Sequence, residues 1–179
     1  MIAPDEALRL VLEKSSPLAD EEVAVGEACG RTLAQSLSAR EDLPGFDNSA
    51  MDGYALRAGD ASGASKNSPR SLALVGAVRA GGPSSSSVGP GQAARVLTGA
   101  PLPPGADCVV MQELTAADGD GRVAVLQEPE PGQHVRGRGE DIRAGQPLLE
   151  AGGILRPVEI GLLAAQGVSV VRVVRRARA

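Results

Sequence analysis

The stretch 44-PGFDNSAMDGYAL-56 carries the only Phe (Phe46) and the only Tyr (Tyr54) of a 179-residue chain. Between them stand Asp47, Asn48, Ser49, Met51, Asp52 and Gly53. Asp47 and Asn48 are types that bond their own backbone in turns, Ser49 is a capping type, and Asp52-Gly53 is a short turn signal. Two readings stand on these residues. One is a tight connection between two parts of the chain, anchored by the aromatics. The other is a loop held by Phe46 and Tyr54 that presents Asp52 to a cleft, since loops on rigid supports carry function.

Outward from this loop the pattern changes on both sides. Upstream, Pro4 with Asp5 and Glu6 marks a helix start, and Leu8, Val11 and Leu12 fall on one face, which predicts a helix over 4–15. EEVAV at 21–25 reads as a short strand, and 26-GEACGRTLAQSL-37 as one helical turn at 26–29 followed by an extended run to about residue 39. Downstream, strands are predicted at 53–57, 71–79, 92–97, 107–112 and 121–127, with a flexible loop 81-GGPSSSSVGPGQ-92 among them. Pro157 then opens a helix, 157-PVEIGLLAAQG-167, whose Ile160, Leu163 and Ala164 share a face and whose Gly167 is a natural C-cap. The strand 168-VSVVRVV-174 follows.

Helices near both ends thus flank a β-rich middle. The predicted fold class is α+β, mostly β. Both chain ends (1–50 and 146–179) build an elongated helix-strand domain I, and 51–145 form an inserted β-rich domain II. No internal repeat is present.

Composition agrees with many short strands. The chain is 42% apolar without Trp, so its core is built from Val, Leu, Ile and Ala, while 23 Gly and 13 Pro demand many turns. No stretch nears the ~20 apolar residues of a membrane span, and MIAPDEALRL lacks a signal-peptide pattern. A cytoplasmic location is expected. Cys29 and Cys108, far apart and flanked by apolar residues, are predicted as two buried thiols without metal-ligand spacing. The net charge is −4, yet residues 134–179 hold eight Arg against four acids. That basic third suits an anion or simply balances the rest of the surface. Arginines without interleaved aromatics, on an acidic chain, argue against nucleic acid.

Two further stretches carry chemistry. In 98-TGAPLPPGAD-107, Thr98 closes a strand and Gly99 with three Pro stiffens the loop behind it. This is either a pocket wall with a hydroxyl or an ordinary turn. In 134-HVRGRGEDIRAG-145, three Arg, glycines and the pair Glu140-Asp141 lie close together. Guanidinium groups bind phosphate and other oxyanions in bidentate fashion, and a carboxylate beside them holds a metal or steers a proton. The competing reading is a salt-bridged surface loop. His134 reads as structural. There is no Walker loop, GxGxxG, HExxH or nucleophile elbow.

Taken together, LPGFDNSAMDGYAL (43–56), RVLTGAPLPPGADCVVMQE (95–113) and HVRGRGEDIRAG (134–145) resemble, in order and spacing, the signature segments of the MoeA family. These are the molybdopterin molybdenumtransferases, and the gephyrin E domain is similar. The resemblance runs through essentially the whole chain. It implies insertion of molybdate into adenylylated molybdopterin with release of AMP, assisted by a divalent metal, usually Mg2+. It also implies a homodimer whose cleft lies between domain III of one subunit and domains I and II of the other. The segment 168–179 resembles the passage into the MogA-like domain III. The chain is therefore expected to be domains I and II only, and inactive when isolated.

Residue by residue, Asp52, Thr98 and Asp141 match the family's catalytic positions, and Ser49, Arg136 and Arg138 are the substrate-binding candidates. The resemblance assigns no metal ligands here. Gly137 stands where the family usually has the middle Arg of three, which leaves that side chain's role in doubt. The alternative is a non-catalytic scaffold or dimerisation module of the gephyrin type. Joint presence of Asp52, Thr98 and Asp141 favours descent from an enzyme.

Overall fold

The computed structural model describes residues 2–16, 18–81 and 86–177. In chain order the elements are α1 (Pro4–Glu13), β1 (Asp20–Ala24), β2 (Leu37–Ser38), β3 (Asn48–Ser49), β4 (Gly53–Leu56), β5 (Arg70–Val78), β6 (Gln92–Val96), β7 (Cys108–Met111), β8 (Thr115–Ala117), β9 (Arg122–Val125), β10 (Val135–Arg136), β11 (Pro147–Leu149), α2 (Pro157–Ala165) and β12 (Val170–Val174). The fold is mostly β with two helices, as the sequence predicts. The chain divides into two compact units, Met1–Glu41 with Ala144–Ala179, and Asp42–Arg143. Among the described residues no helix is long and apolar enough to cross a membrane.

In the first unit, β1 pairs antiparallel with β12, Asp20 opposite Val174 and Ala24 opposite Val170. β2 pairs with β11. The alternation in β12 turns Val171 and Val173 inward, onto Ala28, Leu33, Leu155, Leu163 and Val168. α2 begins at Pro157, and the Glu159 carboxylate accepts the N–H of Arg156 at 2.9 Å, filling an otherwise open end. It ends at Gly167, whose φ of +66° only glycine adopts cheaply. There the N–H of Val168 reaches the Leu163 carbonyl (2.9 Å) and that of Gly167 reaches Ala164 (3.0 Å). These paired bonds satisfy the last carbonyls, and Leu163 packs with Val168 beside them.

The buried line of α2 is narrower than predicted. Ile160, Leu163 and Gln166, spaced three apart, face inward, while Ala164 is exposed. Gln166 is buried but fully used. Its amide oxygen accepts the N–H of Arg40 (2.7 Å) and of Glu41 (3.1 Å), and its amide NH2 donates to the Glu41 carbonyl (3.2 Å).

α1 stops at Glu13, short of the predicted 15. The N–H groups of Lys14 and Ser15 bond carbonyls three residues back, Val11 and Leu12, which tightens and closes the last turn. None of its residues is buried, and Leu8, Val11 and Leu12 are about 60% exposed (59%, 61% and 62%). Cys29 is also exposed, contrary to expectation, because the inward position at that turn goes to Ala28.

The second unit is built on a six-stranded sheet in the order β7-β4-β6-β5-β9-β8. Every pair in it is antiparallel except β5 with β6. Both faces are covered. Leu56, Leu72, Ala93, Cys108, Val110, Val123 and Val125 pack on one cluster, and Ala55, Val78, Val96, Ala100 and Val109 on another. That is why GYAL and CVVM read as unbroken small apolar runs rather than alternating ones. The Cys108 thiol, buried as predicted, donates to the Leu56 carbonyl (3.5 Å), and burial pushes its pKa up to about 12. Residues 82–85 of the predicted flexible loop lie outside the described residues.

Candidate functional site

The three segments singled out in the sequence lie side by side in the second unit. Residues 134–142 run along one edge of the stretch 43–50. Leu43 and Ile142 exchange backbone bonds of 2.7 and 3.0 Å, the N–H of Gly139 reaches the Pro44 carbonyl (2.9 Å), and that of Ala50 reaches His134 (2.9 Å). Between them β3 and β10 pair, Ser49 with Val135 and Asn48 with Arg136. Residues 98–102 line the other edge. The N–H of Ser49 bonds the Ala100 carbonyl (2.9 Å), that of Gly99 bonds Ser49 (2.8 Å), and that of Leu102 bonds Asp47 (2.9 Å). The loop that opened the sequence is thus the middle of an irregular ribbon, bonded along both edges by the backbone of the other two segments.

Ser49 is the buried knot of this ribbon. It is fully buried, its hydroxyl donates to the Met51 carbonyl (2.5 Å), and its oxygen accepts the Met51 N–H (3.3 Å). The hydroxyl therefore fixes the turn that leads into Asp52. The aromatic anchor fails at one end. Phe46 is 49% exposed, whereas Tyr54 sits on β4 against the sheet's core cluster. Backbone ladders and Ser49, not two aromatic rings, hold the loop. His134 is structural, with a left-handed φ of +56° and its carbonyl bonded to Ala50.

Asp52 and Thr98 meet directly. One carboxylate oxygen, Oδ1, accepts both the backbone N–H of Thr98 (2.7 Å) and its hydroxyl (2.8 Å). The two Thr98 bonds hold the Asp52 carboxyl below its ordinary 3.8; desolvation opposes them, and the charge of Arg95 adds the smallest contribution in the same direction as Thr98. Oδ2 accepts no hydrogen bond from the described residues, so one oxygen of an ionised, oriented carboxylate is left for a ligand. Gly53 follows it for a reason other than a turn. It lies within β4 without a positive φ, where β7 approaches too closely for a side chain.

Asp141 meets Arg136. Arg136 Nη2 donates to Asp141 Oδ2 at 2.7 Å in an exposed pair. Arg138 is held twice, its N–H by Asp47 Oδ1 (2.7 Å) and its Nε by Asp42 Oδ2 (2.6 Å). Asp47, read as bonding its own turn, instead ties the first segment to the third. Gly137 donates its N–H to Glu140 Oε2 (2.8 Å), and a Cβ there would meet nothing within 4 Å. The departure at 137 therefore removes a side chain without answering a backbone need. The structure brings together Asp52 with Thr98 and Asp141 with Arg136, and links the two pairs through Ser49. Sequence reading missed Arg95, whose only signal was its exposed position in the alternation of QAARV.

Among the described residues no three His, Cys, Asp or Glu side chains cluster as a metal cage would require. The donors present are single carboxylates beside guanidinium groups and a hydroxyl. That set suits an anionic substrate, with any cation shared between protein and ligand.

Residues 2–167 match the family model described as MoeA N-terminal region (domain I and II). The chain is 39% identical over 178 residues to molybdopterin molybdenumtransferase 2 of Mycobacterium tuberculosis, covering 99% of this chain and 44% of that protein. It is 42% identical over 169 residues to the molybdopterin molybdenumtransferase of Nostoc sp., covering 94% and 38%. Among solved structures, the molybdopterin biosynthesis moeA protein of Pyrococcus horikoshii OT3 superposes with a TM-score of 0.91 at 38% identity, over 97% of this chain and 46% of that one. The chain thus spans less than half the length of the relatives it matches.

Proposed function

We propose, from the premise that this chain belongs to the MoeA family as its N-terminal region (domain I and II), that it supplies part of the reaction cleft of a molybdopterin molybdenumtransferase. The complete protein inserts molybdate into adenylylated molybdopterin with release of AMP, a step of molybdenum cofactor biosynthesis. The observation that carries this reading is the grip of Thr98 on Asp52, which orients an ionised carboxylate and leaves its second oxygen open. Asp52 and Thr98 face the reacting phosphate–molybdate centre in this reading. Asp141 and Arg136 exchange their mutual contact for substrate, and Arg138 offers its remaining donors to an anion. Ser49 serves by shaping the loop rather than by touching substrate. Transition-state charge on several anionic oxygens is what such preorganised donors stabilise.

Magnesium fits the donor set in one way. The open Asp52 oxygen is a hard ligand of the kind magnesium combines with waters and substrate phosphates. When bound, the ion would neutralise phosphate charge there.

The chain by itself is expected to release no AMP from adenylylated molybdopterin in the presence of molybdate, because most of the length of its relatives lies outside it. AMP release above a no-protein control, followed chromatographically, would overturn this division of labour.

Assembly is a further part of the proposal. The apolar face of α1 (Leu8, Val11, Leu12) is uncovered, and Val158 of α2 is exposed too. Burying such faces against a second copy is the economical solution for a homodimer. The isolated chain is expected to dimerise, more weakly than the complete protein, and Leu8→Glu with Leu12→Glu is expected to abolish it. Sedimentation across concentration decides. A single monomer persisting to about a millimolar, where association is worth only ~4 kcal/mol, refutes the dimer.

A further inference from the structure

Eight arginines lie in the unit Asp42–Arg143. Six are engaged within the protein. Arg57 pairs with Asp60, Arg70 donates to the Ser62 carbonyl, and Arg122 donates to Ser71. Arg136 and Arg138 pair with Asp141 and Asp42, and Arg143 has a partner as well. Arg79 and Arg95 alone make no hydrogen bond or ion pair with the described residues, although Arg95 lies near enough to act on the charge of Asp52. A fully solvated pair of cations would be unremarked if the two stood apart. They do not.

In the parallel ladder of β5 and β6, Ala77 stands opposite Arg95 and Val78 opposite Val96. Arg79, one residue past the end of β5, is exposed, as Arg95 is. Both line one depression of about 510 Å³, together with Ala77, Val78 and Leu97. The other lining residues are apolar, which weakens hydration of the two cations and strengthens their pull on an anion. Leu97 directly precedes Thr98 in the chain, so the depression adjoins the Asp52–Thr98 pair.

We propose that Arg79 and Arg95 form a clamp for a tetrahedral oxyanion beside Asp52 and Thr98. This rests on the transferase reading for its biological meaning, but its chemistry stands alone. Two guanidinium forks, one on β6 and one just past the end of β5, offer paired N–H donors to phosphate-like oxygens, the chemistry in which arginine outperforms lysine. The shared ligand chemistry is that of a phosphate ester of the substrate or of a free oxyanion such as molybdate. In either case the clamp holds the negative group near Asp52 against the repulsion of its carboxylate.

The test is a titration of the isotope-labelled chain, followed by amide NMR, with inorganic phosphate, AMP and molybdate in separate arms. The expected result is saturable shifts at Ala77, Val78, Leu97 and Thr98. Arg79→Gln and Arg95→Gln are each expected to weaken binding at least about tenfold with the remaining spectrum unchanged. Asp52→Asn is expected to tighten it about threefold by removing a repelling charge. AMP binding more tightly than phosphate identifies a phosphate ester, and molybdate binding more tightly than both identifies the free oxyanion. Either upholds the clamp. Shifts confined to 134–143, affinity untouched by both arginine variants, or no saturable shift at all would overturn it. None of these readouts uses turnover, so the clamp and the transferase reading fail separately.

Discussion

Asp52→Asn in the complete enzyme is expected to lower kcat/KM by about 10²–10³-fold with an unchanged fold. The substitution is isosteric, and the amide oxygen still accepts both Thr98 donors, at the positions now 2.7 and 2.8 Å from Oδ1. The loop should therefore keep its shape while the charge disappears. The Thr98 bonds and Arg95 hold the Asp52 carboxyl below its ordinary 3.8. With a depressed value in the folded state, the ionised form and its Thr98 contact persist above that range and are lost only as the pH falls through the lowered pKa. The loss in the variant should consequently be constant across neutral pH, and any inflection there belongs to another group. Asp141→Asn is expected to lower turnover as well, because the carboxylate charge that pairs with Arg136 at 2.7 Å is lost from the site. That pair is solvent-exposed, so the unfolding midpoint should barely move. Steady-state AMP release and urea unfolding on the same preparations measure both. An unchanged rate with either variant strikes that residue from the site.

The parts of this fold that were legible in the sequence are those with a long enough period. α1 and α2 announce themselves through Pro at the start and apolar residues three and four apart, and β4 to β7 and β9 through Val, Leu and Ala runs. β3, β8, β10 and β11 hold two or three residues each, too few to alternate. Two of them, β3 and β10, hold the site ribbon together. Residue types betrayed Asp52, Thr98 and Asp141 as candidates, yet the partner of each was not legible. Thr98 lies 46 residues from Asp52, and the pairing of β4 with β6 and the bonds of Ser49 to Gly99 and Ala100 bring them together. Phe46 is misleading because rarity does not imply burial: it is 49% exposed, and the loop is tied by backbone bonds that leave no mark in composition. Cys29 misled for a related reason: its flanking residues are apolar, but the turn after Val25–Glu27 points Ala28 inward instead.

Gly53 offers the sharpest test of how the site depends on the fold. It lies in β4, in the interior of the sheet, opposite Val96 of β6 and Met111 of β7. A Cβ at this position would collide with the Val110 carbonyl oxygen and come to 3.0 Å from Met111 Cα. Both obstacles are backbone, so no rotamer change relieves them, and β7 must move off β4. That movement breaks a ladder between strands whose residues, Ala55, Leu56, Val109 and Val110, are buried on both faces. Gly53→Ala is therefore expected to destabilise the chain by about 3 kcal/mol or more, at or beyond the upper end for overpacking. Gly137→Ala is the matched control. Nothing lies within 4 Å of its Cβ, its φ is not positive, and its N–H remains free to bond Glu140, so the change should fall within about 0.5 kcal/mol. Denaturant unfolding of the two variants side by side makes the comparison. The same displacement reaches the chemistry, because Asp52 precedes Gly53 and its carbonyl accepts the N–H of Gln112, just beyond β7 (3.1 Å). A Gly53→Ala protein that folds with wild-type stability would show that β7 yields easily. The Asp52–Thr98 geometry would then rest on the ribbon through Ser49 and not on the sheet beneath it.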